Sequence, residues 1–158
     1  MFKVGDQVVY PSHGAGTVEG IEEKTVLGKR RIYLIIQMLS SDLTVSVPEE
    51  RALEVGLRPV ITEAEIAAVY DILTSEQTEM ESNWNKRFRA NMEKIKGGDI
   101  AEVADVYRNL FIRDRERGLS TGERKMLSDV QQMLISELAL ASGKETDVIQ
   151  VEVNECIS

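Results

Sequence analysis

The chain has 158 residues, with 19 basic and 27 acidic side chains, one histidine and one cysteine, and a net charge of −8. That length holds one ordinary domain or two small ones. A lone cysteine, Cys156, closes no internal disulfide, and one histidine with one cysteine builds no usual zinc site, so no metal or other cofactor is expected. The longest apolar runs, such as residues 32–36 and 138–141, fall far short of the ~20 residues that cross a bilayer. No basic stretch followed by an apolar one opens the chain, so a cytoplasmic protein without a membrane partner is expected.

The first 55 residues read as short strands. Gln7 to Tyr10 is followed by a turn cluster, Pro11 to Gly16, and then by Thr17 to Ile21 with apolar residues at about period two. Val26 to Arg30 offers a hairpin turn before the strand Arg31 to Leu39. Ser40 to Asp42 offers another before Leu43 to Val47, and Pro48, lacking an N–H, should end that strand. This is the pattern of a small, strongly bent β-barrel.

From Ile61 the period becomes helical. Thr62 and Glu65 form a capping box ahead of the stripe Ile66, Val69, Tyr70 and Leu73, and Thr74 to Glu81 reads as a polar, acidic loop. A second helix covers Asn83 to Lys96 and stops at Gly97-Gly98. Asp99 caps a third, with Val103, Val106, Leu110 and Phe111 facing inward. Ser120 and Glu123 form another capping box and open a helix that runs to about Ser142. The tail 147–157 fits either a strand or a helix, and a short helix is favoured. The fold class expected is α+β: a β-module, residues 1–58, then an all-α bundle of four or five helices, residues 59–158.

Charge is placed unevenly along this framework. Residues 1–58 carry seven basic and eight acidic side chains, residues 59–81 none and six, residues 82–125 eleven and seven, and residues 126–158 one and six. The segment 82–125 is therefore +4 inside an acidic protein. A local field, not the total charge, decides where a phosphate backbone approaches, because screening limits its reach to ~8–10 Å.

Groups suited to catalysis are sparse. His13 sits in a Pro/Gly turn with no second histidine, Gly97-Gly98 ends a helix where a phosphate loop would open one, and Cys156 has no basic neighbour. On a helical wheel of about 100° per residue, Trp84 shares an apolar stripe with Phe88, Met92 and Ile95, while Lys86, Arg89 and Lys96 lie opposite. That spacing favours a core tryptophan. Its place in a helix's first turn, between Asn83 and Asn85 and close to cations, leaves open an exposed ring that stacks on bases. Arg113, Arg115 and Arg117 alternate with Asp114 and Glu116 and read as a solvated, salt-bridged face. Arg124 and Lys125 stand in the first turn after Ser120, where free N–H groups attract phosphate. In the β-module, Leu43 to Val47 would accept a partner's strand if it lies at a sheet edge; an internally paired strand is the alternative.

The stretch from Val4 to Gly14, VGDQVVYPSHG, resembles the opening of the CarD/CdnL family of bacterial RNA polymerase-binding transcription regulators. The resemblance continues in order through Asp42-Leu43-Thr44-Val45 with Val47-Pro48, Asn83-Trp84 with Arg87-Phe88 and Ala90-Asn91, and Arg115 to Ser120 with Gly122-Glu123. It implies a non-enzymatic regulator whose N-terminal, Tudor-like module docks on the protrusion lobe of the polymerase β subunit. The helical module would then meet promoter DNA near the −10 element, at the upstream edge of the bubble. Carried over, Trp84 is a minor-groove wedge that stabilises the open complex, and Lys86, Arg89, Arg113 and Arg124 are candidates for phosphate contacts. The polymerase-facing residues would be Lys24, Leu43, Thr44, Val45, Ser46 and Val47. Ser46 and Lys24 stand where relatives have arginines, so charge pairing with β is expected to weaken or to move to Lys29, Arg30 or Arg31. A monomer is expected, associated with the nucleoid through polymerase. Two other readings compete: a self-sufficient duplex-binding protein, and a protein-interaction module with Trp84 in its core.

Overall fold

A computed structural model describes residues 2–157 and shows the expected α+β class: a five-stranded antiparallel sheet followed by five helices. The strands are β1 (Gln7–Tyr10), β2 (Gly14–Val26), β3 (Lys29–Met38), β4 (Thr44–Pro48) and β5 (Arg58–Pro59), ordered β4-β3-β2-β1-β5. β2 begins three residues earlier than periodicity suggests. Gly14, Ala15 and Gly16, expected in a turn, pair with Tyr10, Val9 and Val8. Only residues 11–13 turn the chain, with Ser12 at φ +71°. Glycine suits Gly16 because a Cβ there would stand 2.4 Å from the Gln37 carbonyl oxygen.

β2 and β3 form the longest pair, with a register shift between Val18 and Gly20 that bends the sheet. Leu27 and Gly28 turn the hairpin, both at positive φ. Val8, Val18, Leu34, Ile36, Met38 and Val47 fill one face of the sheet, closed by Ala52 and Leu57.

The helices are α1 (Glu63–Thr74), α2 (Trp84–Lys96), α3 (Ile100–Arg117), α4 (Thr121–Ser142) and α5 (Thr146–Cys156). The favoured helix in the tail therefore forms, with Ile149 and Val153 buried. The Glu65 carboxylate accepts from the Thr62 backbone N–H at 3.1 Å, so the first capping box closes. The second closes on one side only. Ser120 Oγ accepts from the Glu123 N–H, and the Glu123 carboxylate accepts from the Ser120 hydroxyl and from a buried arginine. α3 is the central helix, with Val103, Ala104, Val106, Tyr107 and Leu110 in the core, and Phe111 half-buried at its margin.

The two modules meet along α4. The Ala15 N–H donates to Ser136 Oγ at 2.9 Å in a buried contact. Arg58 lays its guanidinium on both oxygens of Glu137, each at 2.7 Å, and donates twice more to the Gly98 carbonyl at 3.0 and 2.8 Å. The Ile61 N–H adds a third donor to Glu137 at 2.9 Å. One carboxylate thus collects the end of the β-module and the segment leading into the helices. Glu137 is 1% exposed, and burial of a charge is tolerable only with such complete pairing.

Candidate nucleic-acid interface

The first turns of α2 and α4 come together at one end of the bundle. The Asn83 side chain accepts from the Lys86 N–H at 3.1 Å and starts α2 immediately before Trp84. Ser120 does the same for α4 through the Glu123 N–H at 3.2 Å. A buried bidentate pair joins the two: Arg87 donates to Glu123 at 2.8 and 3.1 Å and also reaches the carbonyls of Glu81 and Ser82. The hydrogen bond from Arg87 holds the Glu123 carboxyl below its ordinary range, against the opposing effect of burial.

This pair changes which face of α2 is inside. The buried meridian runs through Arg87, Asn91 and Ile95, with Phe88 and Met92 only half-buried. The apolar stripe read from spacing is rotated because a neutralised arginine and a buried asparagine take core positions. Trp84, in the first turn of that helix, is 41% exposed. It is not a core residue, which removes the reading that required one. Its indole stacks on Phe88, with ring centroids 5.0 Å apart and planes at 16°, and its Nε1–H donates to Ser120 Oγ at 2.8 Å.

The four cations expected with it differ in setting. Lys86 and Arg89 are exposed on the first half of α2, with no ion pair among the described residues. Arg124 is exposed and spends its Nε–H on the Leu119 carbonyl at 3.2 Å, which turns it along the start of α4. Its neighbour Lys125 pairs with Asp129 at 3.2 Å. Arg113 is half-buried in an open groove of about 440 Å³ between residues 77–82 and the end of α3, whose lining also includes Arg117 and the carboxylates of Glu79, Glu81 and Glu116. The carboxylates there offset its charge.

The residues expected to face polymerase lie on β4 and the adjoining hairpin. β4 is an edge strand that pairs only with β3. The Met38 N–H donates to the Leu43 carbonyl at 3.0 Å, and antiparallel alternation then points the main-chain groups of Val45 and Val47 at β3 and those of Thr44 and Ser46 outward. The side chains of Thr44 and Ser46 are exposed, and Leu43 is 66% exposed. Val47 is buried and Val45 packs against the core, so both act there as scaffold. Lys24 lies over the Tyr33 ring, 5.2 Å from its centroid, and near Glu22 at 3.8 Å.

Two family models match the chain: one described as CarD-like/TRCF RID domain over residues 2–61, and one described as CarD, C-terminal domain, over residues 68–154. A Bacillus subtilis (strain 168) protein, YdeB, named as a candidate transcription factor, is 38% identical over 143 residues, covering 90% of this chain and 94% of its own length. The chain belongs to the CarD-like transcription factor family. Among solved structures, the solution NMR structure of the 72-residue N-terminal domain of Myxococcus xanthus CarD is 34% identical, with a TM-score of 0.33, covering 37% of this chain and 79% of that one. As a CarD-like factor the protein is a non-enzymatic regulator of transcription.

Sequence reasoning missed the Arg87–Glu123 and Arg58–Glu137 pairs of this CarD-like chain. The available signal was a charge on an apolar stripe. Glu123 and Glu137 fall at helical spacing with Met126, Val130 and Leu134, and Arg87 stands four residues before Asn91 and eight before Ile95.

Proposed function

We propose that this protein is tethered to RNA polymerase through residues 1–58 and stabilises the promoter open complex through residues 59–158. Trp84 enters the distorted minor groove at the upstream edge of the bubble, near the −10 element. The free edge of β4 supports the tether, since the outward main-chain groups of Thr44 and Ser46 are open to a strand of the polymerase β protrusion. Lys24 stands on β2, with β3 between it and that edge, and is carried by the β2–β3 hairpin. A monomer suffices, because tethering gives the DNA site a high effective concentration without strong intrinsic affinity.

The observation that carries the reading is the setting of Trp84. It is a half-exposed ring backed by Phe88, at the junction of two helix N-termini whose dipoles favour anions, with Arg124 exposed in the first turn of α4 and Lys86 and Arg89 exposed on the first half of α2. Arg113, set among carboxylates, is the weakest phosphate candidate of the four. An aromatic wedge trades the cost of unstacking one step for stabilisation of opened DNA.

Trp84→Ala should leave affinity for the purified polymerase unchanged and shorten open-complex lifetime at least about fivefold, the equivalent of one lost stacking contact. An unchanged lifetime refutes the wedge. Tight binding to bare duplex DNA at physiological salt, with a steep salt slope, would instead favour a self-sufficient DNA-binding protein.

A further inference from the structure

We propose that Ser120 is a positioning residue for Trp84: it takes up the indole's hydrogen-bond donor and so makes the wedge indifferent to base identity. The inference rests on the reading of Trp84 as the DNA contact and adds what that contact can recognise. An indole has one polar group, a donor, and no acceptor. That donor points into the protein, 2.8 Å from Ser120 Oγ.

The hydroxyl that receives it is fully engaged. Ser120 Oγ accepts from Trp84 and from the Glu123 N–H, and donates to Glu123 Oε1 at 3.3 Å. One donor and two acceptor positions are all it has. Glu123 in turn is clamped by Arg87, which stands in the same turn of α2 as Trp84. The path leaves α2 at Trp84, passes through Ser120 and Glu123, and returns to α2 at Arg87.

Packing fixes the ring as well. Gly122 lies beneath it, where a Cβ would stand 3.4 Å from Trp84 Cζ2, and Phe88 stacks alongside. The indole is therefore held by α4 before any DNA arrives.

The chemical consequence concerns the minor groove. Base identity there is carried by the acceptors of A·T pairs and by the extra amino donor of G·C pairs. A ring whose N–H is spent, and which has no acceptor, reads neither. What it offers is stacking and shape, which every base accepts to a similar degree. Sequence preference in promoter response must then come from elsewhere than Trp84.

The test uses full-length protein with polymerase holoenzyme on a promoter whose base pair at the upstream bubble edge is changed through all four possibilities. The lengthening of open-complex lifetime by the wild-type protein should agree within about threefold across the four; a spread of tenfold or more overturns base indifference. Ser120→Gly removes the indole's acceptor while keeping most of the value of the helix cap. It should lower the steady-state fluorescence anisotropy of the single tryptophan and shorten the lifetime about two- to tenfold, with Ser120→Thr restoring both. In a Trp84→Phe background, which lacks the N–H, Ser120→Gly should have no further effect on lifetime. Equal anisotropy and lifetime in wild type and Ser120→Gly, or an undiminished effect in the Trp84→Phe background, overturns the positioning role. Trp84→Ala measured alongside separates the failures: no effect there removes the wedge, while a clear effect with a silent Ser120→Gly removes this inference alone.

Discussion

Glu123 is 1% exposed and its partner Arg87 4%, so their pair is a buried ion pair on which the site is built. Removing one member of such a pair leaves a buried charge uncompensated and costs about 3–5 kcal/mol. Glu123→Gln should fall toward the lower end of that range, because Arg87 keeps the carbonyls of Glu81 and Ser82. Urea unfolding at pH 7 measures it. The pH dependence has a definite sign. The folded carboxyl titrates below its ordinary value of 4.5, so its stabilisation is fully present above that value and is lost as pH falls through the depressed one. The gap between wild type and Glu123→Gln should stay constant from pH 7 to about 5 and close below 4.5. At this scale the sequence was half legible. The cap at Ser120 could be read from the Ser-x-x-Glu spacing, but the carboxylate's partner could not, because Arg87 lies 36 residues away.

β4 is the element whose role depends most on its neighbours. Its residues alternate as an edge strand or an internal strand equally would, and only the order β4-β3-β2-β1-β5 leaves one side open. Ser46→Pro tests the open side. The Ser46 N–H points away from β3, so proline there removes no ladder bond within the sheet, while a docked strand would lose its donor. The variant should fold with an unchanged circular dichroism spectrum and lose measurable affinity for a polymerase β fragment. Retained affinity would place the tether elsewhere on the β-module. The helices were easier to read. Asp99 and Ser120 cap α3 and α4 as their types and positions suggest, because a cap is decided by residues within one turn, and Asn83, read as the first residue of the second helix, is the cap of α2. The buried meridian of α2 was misread from spacing, since periodicity counts apolar side chains and has no means to include an arginine neutralised by a distant helix.

The β-module and the helical bundle have separate apolar cores, and polar contacts along α4 help to fix their mutual orientation. Arg58 and Glu137 dominate the joint, with Gly98 and Ile61 bonded to the same pair. If the protein carries a wedge at one end and a tether at the other, a loose joint should weaken function without weakening either contact. Glu137→Gln keeps an acceptor for the Ile61 N–H and removes the charge that balances Arg58. It should leave polymerase affinity unchanged, shorten open-complex lifetime, and speed hydrogen exchange at Ala15 and Ile61 at least about tenfold relative to the centre of α3. Unchanged exchange at those two amides would show that the joint is held by packing alone.

Taken by itself, the sequence determined the α+β class, the order of strands and helices, the caps and the single basic segment, since each depends on residues near in the chain. It also held the ordered motifs by which the CarD-like family is recognised. Tertiary structure decided the exposure of Trp84, the open edge of β4, and the two ion pairs that tie α2 to α4 and β5 to α4. These depend on which side chains meet across 36 to 79 residues of chain, and a charge on an apolar stripe gives no indication of its partner. Spacing put Trp84 on the inner face of its helix; the end of the bundle, and a serine on another helix, hold it at the surface.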